Sequence, residues 1–354
     1  MTKVALITGG NAMDSKSLSR FLQHKDYKIV LTFRRNSLFQ KDKWFQEVQI
    51  DEKNIEKFDF EICDITDQNS VRECIKSTLK KHAKIDELYL IAAMSHVGDS
   101  FKQKEYSIMA NGQSYYYFLE TVKEFSNKTK IYGALTSELA GNVEKGFKFN
   151  EESVWNPKSP YSIGKALAGH WIKFYRESKD SNLFACFGIL FNHSNWFRTN
   201  DFFIMKVCNA AASINAGIQK ELKLGNLNFY RDEHWTDFGV EMMWKMLQND
   251  TPKDYVIGSG KTYHGEEYLD LAFGYFNLDW KKYVKIEKSL FRPNKVVRLI
   301  SDSSKAQKEL GWNPDRLPLN EHINLLCEYC RHQVNNEPYI LPNIFEYNKE
   351  AVIS

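Results

Sequence analysis

A tyrosine and a lysine four residues apart give the strongest chemical signal in the sequence. Tyr161 and Lys165 follow prolines at 157 and 160, so both side chains lie on one face of the helix predicted to begin there. An ammonium beside a phenol favours the phenolate, and we expect Lys165 to lower the pKa of Tyr161 from its ordinary value of about 10. The alternative is a surface tyrosine near a solvated lysine.

A hydroxyl and a carboxylate end a predicted strand shortly before that tyrosine. The run 130–136 is typical of a buried strand, and Thr136, Ser137 and Glu138 stand at its end. In a parallel sheet, ligands bind at the edge formed by the carboxyl ends of the strands. We therefore expect Thr136 and Glu138 to share one site with Tyr161 and Lys165, where a carboxylate can move a proton.

The elements around these residues alternate between strand and helix. The first unit has a strand at 4–8, the turn Gly9-Gly10, a helical segment and the strand Tyr27–Phe33. Later segments repeat the alternation, with strands predicted at 58–63, 87–92, 130–136 and 183–191, and helices at 70–82, 105–125 and 162–178. This pattern predicts an α/β fold, a Rossmann-type doubly wound parallel sheet.

The rhythm changes after residue 191. Helices are predicted at 201–216, 236–249, 303–310 and 319–332, and a short strand at 254–257. We predict a dinucleotide-binding domain over 1–191, to which residues near 236–260 return. A smaller mixed lobe, formed by 192–235 and 261–354, would complete the molecule. The 354 residues fit two such units at about 150 residues per domain.

Two arginines follow the second predicted strand. An acidic residue at this place would hydrogen-bond a ribose 2′-hydroxyl, whereas Arg34 and Arg35 suit a 2′-phosphate. The pair therefore favours NADP over NAD as cofactor. A solvated basic loop is the alternative.

Composition excludes several classes of protein. The 24 Phe, 18 Tyr and 8 Trp exclude a chiefly disordered chain, and a net charge of +3 does not favour nucleic-acid binding. The apolar runs are too short to span a membrane, and the run after Met1-Thr2-Lys3 is too brief for a signal peptide. We expect a cytoplasmic protein without a membrane or nucleic-acid partner.

The six cysteines do not form a disulfide scaffold. Cys327 and Cys330 make a CxxC pair inside a predicted helix, and neither a second pair nor a nearby histidine pair completes a zinc site. Structural thiols and no metal are expected, with a metal or redox role as the alternative.

Several motifs occur together in a fixed order along the chain. They are Ala92-Ala93-Met94-Ser95-His96-Val97, Thr136-Ser137-Glu138-Leu139, Ser159-Pro160-Tyr161 with Lys165, Gly188-Ile189-Leu190-Phe191-Asn192-His193, Leu224-Gly225-Asn226-Leu227, Arg231-Asp232 and Leu310-Gly311-Trp312-Asn313-Pro314. On these motifs the chain resembles the extended short-chain dehydrogenase/reductases, and among them the GDP-mannose 4,6-dehydratase family. The resemblance covers nearly the whole sequence.

The resemblance implies a hydro-lyase that converts GDP-mannose to GDP-4-keto-6-deoxy-D-mannose through an internal redox cycle with NADP. By this resemblance Tyr161 is the base at the sugar 4-OH, and Lys165 tunes it and holds the nicotinamide ribose. Thr136 hydrogen-bonds the 4-oxygen. Glu138 removes the C5 proton and assists loss of water, with Ser137 as a supporting substrate contact.

The cofactor loop departs from the family pattern. The second and third glycines are replaced by Ala12 and Ser15, and an alanine is accommodated there if φ stays negative. A decayed cofactor site is the alternative. The resemblance assigns the dinucleotide to Gly9, Gly10, Asn11, Ala12, Met13, Asp14, Arg34, Asp64, Ile65, Ile91, Ala92, Ala93, Ser95, Tyr106, Lys165, His193 and Arg198.

The substrate residues carry over less completely. The resemblance assigns the GDP-sugar to Ser95, Ser137, Asn192, Lys206, Arg231 and Arg292, and solvated surface charge is the alternative for the three cations. The segments 194–199 and 232–237 depart from the family. They leave open a GDP-heptose or other GDP-sugar dehydratase, a nucleotide-sugar C4 oxidoreductase or epimerase, and a non-catalytic nucleotide-sugar-binding homologue.

An aromatic run lies in the predicted helix 105–125. Tyr115, Tyr116, Tyr117 and Phe118 are expected in the core or at a subunit interface. By resemblance to the extended family, this helix would pack into a four-helix interface of a homodimer or homotetramer.

Overall fold

Seven parallel strands form the central sheet of the computed structural model, which describes residues 2–34, 40–291 and 296–346. In chain order they are β1 (Lys3–Ile7), β2 (Tyr27–Phe33), β3 (Phe58–Ile62), β4 (Glu87–Leu90), β5 (Lys130–Thr136), β6 (Ala185–Leu190) and β11 (Tyr255–Ile257). Their spatial order is β3-β2-β1-β4-β5-β6-β11, and every pairing is parallel. The predicted doubly wound sheet is confirmed.

Helices cover both faces of the sheet. They are α1 (Met13–Leu22), α2 (Lys41–Val48), α3 (Gln68–His82), α4 (Val97–Ser100), α5 (Lys104–Ile108), α6 (Ser114–Phe125), α7 (Pro160–Glu177) and α9 (Thr236–Gln248). The alternation of β1 shows how the faces divide: Ala5 and Ile7 join the core under α1 and α9, whereas Val4 and Leu6 join the core under α3, α6 and α7.

A smaller lobe follows β6. Its helices α8 (Phe203–Asn215), α10 (Gly265–Tyr275) and α12 (Leu319–Val334) pack on one another, and α11 (Ser304–Leu310) packs on β11. Three two-stranded sheets complete it, from β7 (Asn192–Ser194) with β10 (Glu233–Trp235), β8 (Leu222–Leu224) with β13 (Val284–Ile286), and β9 (Tyr230–Arg231) with β12 (Tyr263–His264). α9 and β11 lie with the main sheet, while the exact domain boundaries stay a prediction.

The structure also holds elements that the pattern did not reveal. The predicted helix 105–125 is α5 and α6 joined by a π-helical turn, Met109–Gln113. α2 was missed because its eight residues show few apolar positions, and α10 because the residue capping its amino end is His264, which pairs with Glu267 in a capping box. Short 3₁₀ turns occur at Glu52–Lys57, Ser137–Ala140, Trp280–Lys282, Lys288–Leu290 and Ile344–Glu346.

The cysteines are packing residues. All six are buried free thiols, and Cys327 and Cys330 lie on α12 as predicted. The Sγ of Cys330 contacts the Sδ of Met205 at 3.5 Å. Over the described ranges, the His, Cys, Asp and Glu side chains form no group of three or more that could hold a metal ion. In the same part of the chain, every helix is too short or too polar to cross a membrane.

Candidate active site

The turn between β1 and α1 has the backbone geometry that the predicted dinucleotide-binding loop requires. Gly9 has φ of +73°, and a Cβ there would lie 2.9 Å from the Cα of Ala92. Ala12, which precedes the first residue of α1, has φ of −68°, a conformation that alanine adopts without strain. The hydroxyl of Ser15 donates to the carbonyl of Thr8 at 3.1 Å. Both glycine replacements are therefore accommodated.

Thr8 fastens this turn to the end of β4. Its Oγ1 accepts the amides of Ile91 and Ala92 at 2.9 and 3.0 Å and donates to the Tyr89 carbonyl at 3.1 Å. Two predicted cofactor residues thereby lie next to the glycine turn. The segment continues through Ala93 to Ser95, which is exposed.

The predicted 2′-phosphate residue lies at the end of β2. The guanidinium of Arg34 is exposed and donates to the Tyr106 hydroxyl at 2.8 Å, which brings two predicted cofactor residues together. Arg35 lies outside the described residues. At the end of β3, Asp64 accepts the amide and hydroxyl of Thr66 at 2.9 and 2.7 Å, and Ile65 is buried. The predicted cofactor residues described so far thus lie at four neighbouring strand ends, those of β4, β1, β2 and β3.

Thr136 lies between the two predicted proton-transfer groups. Its Oγ1 accepts the amide of Glu138 at 3.2 Å and so begins the 3₁₀ turn Ser137–Ala140. The same side chain is hydrogen-bonded to Tyr161. Glu138 is half-buried and close enough for its charge to act on the Tyr161 phenol. A hydroxyl, a phenol and a carboxylate thus face one edge of the sheet.

The start of α7 fixes the tyrosine. Ser159 and Ser162 form a reciprocal capping box, and Pro160 supplies the first helical residue, two residues before the start that the sequence predicted. Gly164 lets the helix approach its neighbour closely, because a Cβ there would lie 2.9 Å from the Cβ of Asn111. One turn after Tyr161, Lys165 is buried, and its ammonium donates to the carbonyl of Ala134 at 2.7 Å.

The charges around Tyr161 differ from those the sequence predicted. The pKa of Tyr161 is raised to about 12, chiefly by burial. The Thr136 hydrogen bond and the Arg198 guanidinium oppose this rise, and the Glu138 carboxylate contributes to it. Burial also lowers the pKa of Lys165 to about 8, against the attraction of Asp14. The expectation that Lys165 lowers the pKa of Tyr161 is wrong in this structure, where burial prevails and the cation that counteracts it is Arg198.

Arg198 belongs to a partly buried charge cluster near the glycine turn, which also includes Asp14, His193 and Glu233. It donates to the carbonyl of His193 at 2.6 Å, and the His193 imidazole contacts the Asp14 carboxylate at 3.0 Å. Burial alone would raise the pKa of Asp14, but His193, Arg198 and Lys165 bring it below its ordinary value. Glu233 is a further member: it accepts the Ser194 hydroxyl at 2.9 Å, and burial raises its pKa to about 7.

The predicted substrate residues lie on several different elements and differ in exposure. Asn192 is exposed, Ser137 is buried, and Lys206 on α8 is half-buried. Arg231 is half-buried, with its guanidinium 5.2 Å from the ring of Phe229 and bonded to main-chain carbonyls. Arg292 lies outside the described residues.

Comparison with known proteins assigns this arrangement to a family. The sequence profile of the family described as GDP-mannose 4,6 dehydratase matches residues 6–323 of the chain. The chain belongs to the GDP-mannose 4,6-dehydratase family. GDP-mannose 4,6 dehydratase 2 of Arabidopsis thaliana is 38% identical over 319 residues, which cover 88% of this chain and 83% of that protein. A Vibrio cholerae GDP-mannose 4,6-dehydratase is 34% identical over 347 residues, covering 88% and 90%.

Solved structures outside the close family share the fold. DesIV, a dTDP-glucose 4,6-dehydratase from Streptomyces venezuelae solved with NAD and TYD bound, has a TM-score of 0.79 at 19% identity, covering 94% of this chain and 98% of that chain. At this identity the likeness concerns the fold alone. It places this member of the GDP-mannose 4,6-dehydratase family among Rossmann-type proteins, as its sheet order does.

One residue that supports the predicted cofactor segment was missed, because in the sequence it looks like an ordinary helix position. Asn111, buried in the π-helical turn, accepts the Met94 amide at 3.0 Å and donates to the Met94 carbonyl at 3.2 Å. It thus fixes the segment from Ile91 to Ser95 that is predicted to line the cofactor. A buried polar residue at the turn was the available signal, since π-helical turns are frequent at functional sites.

Proposed function

We propose that this protein catalyses the NADP-dependent dehydration of GDP-mannose to GDP-4-keto-6-deoxy-D-mannose. The observation that carries the proposal is the position of Thr136 between Tyr161 and Glu138, since the reaction needs one base at the sugar 4-OH and another at C5. Plain C4 oxidation or epimerisation has no task for a carboxylate at C5. Family membership and relatives bearing the dehydratase name support the same conclusion.

The chain's residues fit a dinucleotide. The turn at Gly9 leaves no room for a side chain against Ala92, α1 begins directly after the turn, and Arg34 supplies a cation at the end of β2. Gly9–Asp14 would hold the pyrophosphate, Asp64 and Ile65 the adenine, Arg34 the 2′-phosphate and Lys165 the nicotinamide ribose. When bound, NADP would take a hydride from C4 and return it to C6.

The protein's part in the reaction is proton transfer and positioning. Tyr161 removes the proton of the 4-OH, and Thr136 holds the 4-oxygen by hydrogen bonding as the carbonyl forms. The 4-ketone makes the C5 proton acidic, and Glu138 removes it. Glu138 then gives this proton to the departing C6 hydroxyl, which leaves as water. Once C6 has received the hydride, C5 takes a proton from solvent and Tyr161 releases the proton that it removed from the 4-OH. Arg231 and Lys206 bind the diphosphate of the GDP-sugar.

The decisive test is an assay with GDP-mannose and NADP, read by mass spectrometry in light and heavy water. We expect a product lighter by one water that carries solvent deuterium at C5. A product without deuterium at C5 and without water loss would establish C4 chemistry instead, and binding of GDP-sugar without turnover would establish a non-catalytic homologue. A panel of GDP-hexoses and GDP-heptoses, with UDP-, CDP- and dTDP-sugars as controls, then identifies the sugar and nucleotide.

Two variants separate the two proton-transfer roles. Tyr161→Phe should stop every step and leave the C5 hydrogen unexchanged. Glu138→Gln should still allow hydride to leave C4, so reduced cofactor accumulates while water release falls by about 10²–10⁴. Tyr329→Phe, on α12, and Glu144→Gln, an exposed residue, are the matched controls. Near-normal dehydration by Glu138→Gln would refute the elimination role.

The remaining features of the proposal concern the whole protein. A GDP-sugar is its partner, and a homodimer or homotetramer and a cytoplasmic location stay predictions. NADP rather than NAD rests on Arg34.

A further inference from the structure

Arg231 is held by the main chain of a neighbouring segment. Three N–H donors of its guanidinium reach carbonyl oxygens: those of Tyr230 at 2.9 Å, Val297 at 3.2 Å and Val296 at 2.9 Å. Because two of these acceptors belong to residues 296–297, the direction of the guanidinium depends on where that segment lies. These three hydrogen bonds restrict the guanidinium of Arg231 to one orientation.

The segment 296–301 runs beside the strand that carries Arg231. The amide of Tyr230 donates to Val297 at 2.7 Å, and the amide of Leu299 donates to Tyr230 at 3.1 Å. Neither bond alone fixes the segment, since it is a single irregular stretch in the smaller lobe. What fastens its far end is a buried carboxylate.

Asp232 accepts five hydrogen bonds and is fully buried. Its Oδ1 accepts the amide and hydroxyl of Ser259 at 2.6 and 2.8 Å. Its Oδ2 accepts the amide of Gly260 at 2.9 Å and the amide and hydroxyl of Ser301 at 2.9 and 2.5 Å. One carboxylate thus ties the residue after Arg231 to the end of β11 and to the segment that holds the guanidinium.

We propose that Asp232 is a positioning residue that aims Arg231 at the diphosphate of the nucleotide sugar. The inference rests on the proposed function for the identity of the ligand. An isosteric amide cannot replace the carboxylate, because its NH₂ group would face amide and hydroxyl donors on one side. Loss of Asp232 therefore releases segment 296–301 and, with it, the orientation of Arg231.

The test compares Asp232→Asn with a matched buried carboxylate at the opposite end of the sheet. Glu87 is also fully buried and accepts bonds from Lys3, Tyr27, Tyr89 and Gln248. We expect Asp232→Asn to raise the KM for GDP-mannose and the calorimetric Kd for GDP about tenfold, with kcat changed less than about threefold and the Kd for NADP unchanged. Glu87→Gln should lower Tm without moving either nucleotide constant.

A second variant and a double-mutant cycle complete the test. Ser301→Ala, which removes one hydroxyl donor, should shift the GDP Kd in the same direction by a smaller factor, and it decides the matter if Asp232→Asn does not fold. In an Arg231→Gln background, Asp232→Asn should change the GDP Kd by less than about twofold, because both act through one guanidinium.

The inference is overturned if Arg231→Gln and Asp232→Asn change the GDP Kd by factors that multiply in the double variant. It is also overturned if Asp232→Asn and Ser301→Ala leave the GDP Kd unchanged while lowering Tm as Glu87→Gln does. The GDP measurement needs no turnover. A protein that binds GDP but does not dehydrate GDP-mannose would therefore refute the proposed function. The effect of Asp232→Asn on the GDP Kd would still decide this inference separately.

Discussion

Tyr161 shows how burial and charge compete at a single residue. The same burial that shields it from water raises its pKa to about 12, which opposes its use as a base near neutrality. Lys165, whose ammonium donates to the Ala134 carbonyl, lowers this pKa less than Arg198 does. The counteracting cation is Arg198, which also faces Asp14 and Glu233.

Replacing Arg198 should therefore change the pH dependence of the reaction. Without the guanidinium, the pKa of Tyr161 rises, so the ascending limb of kcat/KM should move upward by about one pH unit in Arg198→Gln. Arg198→Lys keeps the charge and should retain most of the wild-type profile. Arg72→Gln, whose guanidinium pairs with Glu124 on α6, serves as the control. An unmoved limb in Arg198→Gln would remove Arg198 from the tuning of Tyr161.

Arg34 offers a second test at the residue scale. Arg34→Ala should weaken NADP far more than NAD, because only NADP carries the 2′-phosphate. A charge-assisted pair contributes about 1.5–3 kcal/mol, which corresponds to about 10- to 150-fold in Kd. Tyr106→Phe removes the hydroxyl that Arg34 contacts without removing the cation, and should weaken NADP less. Equal losses for both cofactors in Arg34→Ala would show that this side chain does not recognise the phosphate.

At the scale of elements, the sequence correctly predicted those helices and strands whose formation depends mainly on neighbouring residues in the chain. β2 and β5 were predicted to the residue, because each is an apolar run bounded by polar residues. The prolines at 157 and 160 indicated the start of α7 to within two residues. The π-helical turn and α10 were not predicted, because the first depends on packing against α7 and the second begins at a histidine cap. The prediction for the pKa of Tyr161 was wrong for a similar reason, because the burial that raises this pKa depends on the fold and not on the local sequence.

The short parallel pair β7–β10 places Glu233 in the charge cluster with Arg198 and His193. The stability of the folded protein should therefore depend on the protonation of Glu233. Burial raises the pKa of Glu233 from 4.5 to about 7, against the opposing Ser194 hydrogen bond and Arg198 charge. The folded protein thus keeps a proton that the unfolded chain releases between these pH values. The resulting stabilisation is full below pH 4.5 and is lost as pH rises through about 7.

Glu233→Gln should remove this pH dependence. The difference in unfolding free energy between pH 4.5 and 8 should shrink by at most about 3 kcal/mol, measured by urea unfolding across that range. Glu73→Gln, at an exposed position on α3, should leave the profile as in the wild type. A Glu233→Gln profile parallel to the wild type would show that this carboxyl does not titrate differently on folding.

Across the whole molecule, the sequence predicted the proton-transfer part of the site better than the surroundings of Arg231. Thr136 and Glu138, proposed as catalytic, lie at the end of β5. The rule that ligands bind at this edge of a parallel sheet, together with the Tyr161–Lys165 spacing, was enough to group them with Tyr161. The hydrogen bonds that hold Arg231 and Asp232 come from residues far along the chain, at 259–260 and 296–301. Their meeting at Asp232 is set by the topology of the smaller lobe, which short motifs do not encode.

The outer face of α7 gives the last prediction, which concerns assembly. Ile163 and Phe174 are 50% and 58% exposed, and Trp171 between them packs on Tyr116 of α6, with ring centroids 5.2 Å apart. We expect this apolar face to meet its twofold copy in a homodimer. Phe174→Glu would place two carboxylates against an apolar seam, once from each subunit, so this variant should be monomeric by sedimentation equilibrium. Ile218→Glu, 70% exposed in the turn after α8, should keep the wild-type mass. Should Phe174→Glu keep that mass as well, this face of α7 is not the seam, and the aromatic run of α6 serves the core alone.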